Sequence, residues 1–181
     1  KITDIYATAF DYSPKASESK QFFATVQNKL HFAITGRTAA EIISERADSK
    51  KKYMGLTSWR RSPKGKVMPS DVVIAKNYLD NNELTHLNRI VNMYLDYAEM
   101  QAARGRVMRM KDWVKKLNAF LKFSEYEILT DAGKISHEVA EALALSEYNK
   151  FKKVQDKTFT SDFDLFLKET KQVTEKKEKE H

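Results

Sequence analysis

The sequence predicts an all-α fold: one compact domain of six or more helices. All five glycines and all three prolines of the 181 residues fall between segments of helical hydrophobic spacing, never inside one. Within those segments, apolar side chains recur every three or four residues, which places them on one helix face. With 41% hydrophobic residues, a chain of this length can bury one full core and is short for two ordinary domains.

In the N-terminal half of the chain, the sequence predicts two helices that follow each other directly. Ser13 is the expected N-cap of the first, with a proline at the next position, and Gly36 can close that helix in a left-handed conformation. The second begins at Thr38, because Thr38 and Glu41 have the spacing of a capping box. It should run to about Ala47.

Four further segments carry helical spacing. A short helix should end at Leu79, a long one should run from about residue 82 to 104, another carries Trp113, and Ser136 should open the next. The predicted core consists of apolar side chains from several helices: Phe22, Phe23, Val26, Leu30, Leu87, Val91, Leu95, Trp113, Leu117 and Phe120.

The boundaries of the domain follow from composition. A last helical signal at Phe163, Phe166 and Leu167 precedes an all-polar tail, so we expect a helical domain over residues 1–173 and a tail over 174–181. The chain starts without Met and with helical spacing, which favours a fragment of a longer protein. Absence of cysteine excludes disulfides and thiolate sites and fits a reducing compartment. No apolar run approaches the roughly 20 residues of a membrane span, so we expect a cytoplasmic protein with no membrane partner.

Positive charge is concentrated in two regions. The first basic island, residues 46–66, holds eight cations and one acidic residue; the second basic island, residues 104–116, holds six and one. Because the formal charge of the whole chain is +7, the remainder is net acidic, and this pattern favours an oriented anionic partner. The candidate nucleic-acid-binding residues are Lys50, Lys51, Lys52, Trp59, Arg60, Arg61, Lys64, Lys66, Arg104, Arg106, Arg109 and Lys111.

The first basic island overlaps the one long irregular segment, the basic loop of residues 48–68. Loops of that length inside a domain are usually functional or disordered. Trp59 beside Arg60 and Arg61 could stack on a base while the arginines neutralise phosphates. Alternatively, Trp59 covers the core as a lid. The sequence supports both interpretations.

Five blocks of sequence follow one another in a specific order: FFATVQNKLHFAITGRTAAEII, MGLTSW, DVVIAKNYL, LNRIVNMYLDYAEMQA and MKDW. Together they closely resemble the C-terminal part of the bacterial virulence-associated RhuM family, over residues 1 to about 157. The resemblance implies an upstream DNA-binding domain, absent here, and a cytosolic bacterial protein often encoded beside restriction-modification genes. It supplies no established catalytic residues. The chain departs from the family pattern at Arg37, where His is common, and at Arg60 and Arg61, where Lys-Gly is common.

Residues 31–43, HFAITGRTAAEII, also resemble a contracted Fic motif. In that motif a histidine base precedes an anion-binding glycine turn and a helix N-terminus. This implies an alternative, a nucleotidyl or phosphoryl transferase with His31 as the base and Gly36, Arg37 and Thr38 holding a nucleotide with Mg²⁺. The acidic residue, the Asn and the second Gly of the Fic motif are missing, and His31 could equally be a boundary residue bonded to a neighbour.

A metal site has only weak candidates, Asp96 and Glu99, which lie one turn apart on the long helix and could hold Mg²⁺. A solvated helix face gives the same pattern, so we predict no metal, and no cofactor unless the transferase alternative holds. The leading prediction is a helical accessory domain that binds nucleic acid or an acidic protein surface through both basic islands. Enzymatic activity and homo-oligomerisation through an uncovered apolar helix face stay open as alternatives.

Overall fold

The computed structural model describes residues 9–13 and 17–159, and within that part of the chain it is entirely helical. Two short 3-10 turns, Lys52–Gly55 and Ala75–Tyr78, accompany six α-helices: α1 Ser17–Thr35, α2 Ala39–Arg46, α3 Pro69–Val72, α4 Asn81–Ala103, α5 Met110–Phe123 and α6 His137–Thr158. The all-α prediction is therefore confirmed. The predicted proline position at 14, the helical signal at 163–167 and the polar tail at 174–181 lie outside the described residues.

The helix ends follow local signals in the sequence. Gly36 closes α1 with φ of 67°, and α2 begins with the predicted capping box. There the Thr38 hydroxyl accepts from the Glu41 N–H at 3.3 Å, while a Glu41 carboxylate oxygen accepts from the Thr38 N–H at 2.8 Å. Ser136 caps α6 by accepting from the Val139 N–H. The first N–H groups of a helix have no acceptor within the helix. These caps supply an acceptor for two such groups at the start of α2 and for one at the start of α6.

The predicted core is confirmed as one cluster. Five of its members are buried and five pack against the cluster half-buried: Val26, Leu30, Leu87, Trp113 and Leu117 in the first group, Phe22, Phe23, Val91, Leu95 and Phe120 in the second. The buried face of α4 is rotated relative to the predicted core positions Leu87, Val91 and Leu95, because it includes Ile90 and Gln101, which the predicted core omits. Val91 and Leu95 are half-buried beside that face, and α4 packs against α1.

The predicted continuous helix up to Leu79 was wrong. It is divided into α3 and the second 3-10 turn, because side chains take carbonyl groups that a continuous helix would use. The Asn77 amide N–H donates to the Asp71 carbonyl at 2.9 Å, and the Tyr78 hydroxyl donates to the Val72 carbonyl at 2.8 Å. The basic loop packs against this irregular segment.

The helices pack in two groups, and the basic loop lies against one of them. Helix α6 packs against α2, α3 and the first 3-10 turn, whereas α1 packs against α2, α4 and α5. Residues 48–68 therefore rest on the α2, α3 and α6 layer. None of the described helices combines the length and apolar character needed to span a bilayer.

Candidate nucleic-acid interface

The basic loop is a folded segment with its own buried side chains. Met54, Leu56, Trp59 and Val67 are all less than a tenth exposed. Its backbone is tied to neighbouring elements as well: the Thr57 N–H donates to the Asn77 carbonyl at 2.8 Å. The loop therefore presents its exposed side chains from a fixed backbone.

A tight turn begins the loop. Tyr53 and Met54 have φ values of 52° and 61°, and Gly55 follows with φ of 81°. A Cβ atom at Gly55 would collide with the backbone carbonyl of Arg46 at the end of α2. Glycine is thus required at position 55 both for its conformation and for the close approach of the two backbones.

Trp59 packs inside the loop. Only 7% of the surface of this residue is exposed. Its indole N–H donates to the Gly65 carbonyl at 2.7 Å, and its ring centroid lies 4.5 Å from that of Tyr53. These contacts favour the lid interpretation. Stacking of Trp59 on a nucleobase stays a prediction, and most of the indole surface is already covered.

The cations of the first basic island fall into two groups. At its ends, Arg46 forms a two-point ion pair with Glu83, at 2.6 and 2.7 Å, and Lys66 pairs with Asp156 at 2.7 Å. The hydrogen bonds from Arg46 hold the pKa of Glu83 below its usual range. The cations between those ends are exposed and form no ion pair with any described residue: Lys50, Lys51, Lys52, Arg60, Arg61 and Lys64.

The second basic island spans the turn between α4 and α5 and the first part of α5. Arg104, Arg106, Arg109 and Lys111 are exposed there, and the Arg109 guanidinium lies 5.7 Å from the ring centroid of Phe10. The turn is held by Asp11, whose carboxylate accepts from the Met110 N–H at 2.8 Å, whereas α6 and α3 hold the first island. The structure thus groups the residues of each island but supports the two islands on different elements.

The Fic-like segment is built differently from an open catalytic loop. His31 is 8% exposed, and its Nδ1 makes no hydrogen bond with a described residue. Burial, assisted by the nearby charge of Lys76 and opposed by that of Glu83, lowers the pKa of His31 to about 4. The imidazole is therefore neutral near pH 7.

The amide groups expected to hold an anion already have acceptors within the chain. The N–H groups of Gly36, Arg37, Thr38 and Ala39 donate to the Phe32 carbonyl, the Thr35 hydroxyl, the Glu41 carboxylate and the Asn28 side-chain carbonyl respectively. A cavity of about 600 Å³ does adjoin Gly36 and Arg37, but His31 is not among its lining residues. This geometry gives the transferase hypothesis no support, and His31 fits a packing role.

Asp96 and Glu99, the weak metal candidates, are both exposed on α4. Within the described residues, no group of three or more potential metal-binding side chains (His, Cys, Asp or Glu) comes together. These two carboxylates therefore have no third candidate ligand among the described residues.

Comparison with known proteins agrees with the family resemblance of the sequence blocks. The model of the Virulence protein RhuM family matches residues 1–160. The chain belongs to the RhuM family. No curated protein and no solved structure matched this RhuM-family chain.

One feature of the RhuM-family chain was not predicted from its sequence: a cavity of about 520 Å³ between the basic loop and the break after α3. We call it the Trp59–Asn77 cavity; its lining residues are Ser58, Trp59, Arg60, Ser70, Asp71, Ile74 and Asn77. Ile74 is 46% exposed there. The sequence shows only that polar Asp71 and Asn77 lie in the segment predicted as one short helix ending at Leu79.

Proposed function

We propose that this RhuM-family domain binds nucleic acid through the exposed cations of the first basic island. The observation that supports the proposal is a difference among the cations of the island. Arg46 and Lys66 form ion pairs with acidic residues of the chain, whereas the six cations between them are exposed. Their charge is therefore not neutralised by ion pairs in the described part of the chain.

The physical basis of such binding is the release of counterions from the phosphate backbone. Each cation that neutralises a phosphate releases condensed counterions, so affinity falls as salt concentration rises. A loop whose backbone is already fixed loses little additional conformational entropy on binding. The second basic island, with Arg104, Arg106, Arg109 and Lys111, would add phosphate contacts if the bound nucleic acid extends to it.

The deciding experiment measures the affinity of the domain for duplex and single-stranded DNA as a function of salt. For the wild-type domain, the logarithm of the affinity should fall linearly with the logarithm of the salt concentration. The double variant Arg60→Ala with Arg61→Ala should reduce the magnitude of this slope by about 0.9 on duplex, or about 0.7 on single strands, for each phosphate that these arginines neutralise in the wild type.

A matched control removes the same charge elsewhere. Lys20 and Lys122 are exposed on α1 and α5, outside both islands, so the double variant Lys20→Ala with Lys122→Ala should retain the slope of the wild type. Equal slopes for the two double variants would contradict a role for the basic loop. Absence of binding to both forms of DNA at low salt would contradict the proposal as a whole and favour an acidic protein partner.

A further inference from the structure

We propose that the Trp59–Asn77 cavity accepts an unpaired nucleobase, so that the domain prefers single-stranded over double-stranded nucleic acid. This inference rests on the proposed function of the first basic island, because phosphate contacts by that island would bring the strand to the cavity. The cavity opens directly beside Arg60, an exposed cation of the same loop.

The size of the cavity and the exposed apolar surface of Ile74 suit a nucleobase. Its volume of about 520 Å³ lies within the range of about 300 to 1,000 Å³ that is typical of small-molecule sites. Ile74 leaves nearly half of its surface uncovered in the lining, at 46% exposure. Trp59 supplies a second apolar wall, which its hydrogen bond to Gly65 holds in place. A flat aromatic base packed against Ile74 would cover apolar surface that water now contacts.

Polar groups of the cavity match the edge of a base. Within the described residues the Asn77 side chain makes one hydrogen bond, from Nδ2 to the Asp71 carbonyl at 2.9 Å. Its side-chain oxygen and its second N–H are then available to a ligand. An amide that offers a donor and an acceptor side by side is the group that asparagine uses to bind adenine edges. The hydroxyl groups of Ser58 and Ser70 lie in the same lining.

The charge of the lining favours a neutral base over a phosphate group. Asp71 is 3% exposed, and its carboxylate oxygens accept from the Arg60 and Met68 N–H groups at 3.1 and 2.8 Å. This carboxylate fixes the loop and would repel a phosphate that entered the cavity. Arg60 carries the positive charge at the same lining, so a phosphate would bind its guanidinium while the attached base occupies the cavity.

The test compares three labelled probes by fluorescence anisotropy: a mixed-sequence single strand, its duplex, and an abasic strand of the same length, which has the same phosphates but no bases. The wild-type domain should bind the single strand more tightly than the duplex, and about tenfold more tightly than the abasic strand, within the range measured when single bases lose a stacking partner. Ile74→Ala should weaken single-strand binding about fivefold, as expected for losing about half of the burial of an isoleucine. Its affinity for the abasic strand should not change.

The matched control is Met93→Ala. Met93 is 51% exposed on α4, an element that does not line the cavity, so this variant should bind every probe as the wild type does. Equal wild-type affinity for the single strand and the abasic strand would overturn the proposal that the cavity accepts a base. This comparison uses only the wild type, so it tests the proposal even if Ile74→Ala fails to fold. If those equal affinities retain a salt slope that depends on Arg60 and Arg61, only the base cavity is refuted. If no probe binds at low salt, the proposed function itself is refuted.

Discussion

Gln155 forms hydrogen bonds through both atoms of its side-chain amide with the backbone of Val67. Its Oε1 accepts from the Val67 N–H at 2.8 Å, and its Nε2 donates to the Val67 carbonyl at 3.1 Å. Val67 is fully buried, and a buried backbone group outside a helix or sheet needs a partner of this kind. The contact fastens the C-terminal end of the basic loop to α6.

We predict that Gln155→Leu destabilises the domain, because it leaves the buried N–H of Val67 without an acceptor. The Tyr148 hydroxyl, at 3.4 Å, still reaches the Val67 carbonyl. An unsatisfied buried group costs about 1 to 3 kcal/mol of the free energy of unfolding, so urea denaturation should show a clearly lower midpoint. Gln21→Leu, on the exposed side of α1, is the matched control and should change the free energy of unfolding by less than about 0.5 kcal/mol. Equal midpoints for the two variants would show that the contact contributes nothing.

The buried imidazole of His31 predicts a pH dependence of stability. Burial lowers the pKa of His31 to about 4 from its ordinary value of 6.5, so the unfolded chain binds a proton more readily than the folded domain does. The stability associated with neutral His31 is complete above about pH 6.5 and is lost as the pH falls towards 4. A difference of this size amounts to about 3 kcal/mol of the free energy of unfolding.

The variant His31→Leu isolates this effect. Between pH 6.5 and 4 its free energy of unfolding should fall less steeply than that of the wild type, because one group that titrates there has been removed. His86 is exposed on α4, so His86→Leu should retain the steep wild-type dependence. Parallel pH profiles for wild type and His31→Leu would contradict the buried, neutral state of His31.

The helices were largely predictable because their signals are local. Thr38 and Ser136 cap helices through side chains within three residues of their partners, and periodic spacing found the core. The rotated face of α4, with Ile90 inside, could not be predicted in the same way, because it depends on where α1 packs. The division of the helix before Leu79 likewise depends on which side chains reach its carbonyl groups.

For the candidate site, the sequence predicted where the cations lie along the chain but not which of them are paired. Sequence alone treats Arg46 and Lys66 like the six cations between them, but Arg46 pairs with Glu83, 37 residues away, and Lys66 pairs with Asp156, 90 residues away. Those pairings require the tertiary fold. The Trp59–Asn77 cavity was missed for the same reason, since its two sides belong to segments that the fold brings together.

The packing role of Trp59 can be separated from a role in binding. Trp59→Ala should lower the free energy of unfolding by about 3 to 5 kcal/mol, the usual cost of truncating a buried tryptophan, and this is measured by thermal or urea unfolding. Phe123→Ala is the matched control, because Phe123 is 87% exposed and its truncation removes little buried surface. At temperatures where Trp59→Ala is still folded, the salt slope of DNA binding should equal that of the wild type, since the variant retains every cation of the basic loop. A variant that melts like the wild type but binds single strands much more weakly would contradict the lid interpretation and make Trp59 a direct nucleic-acid contact.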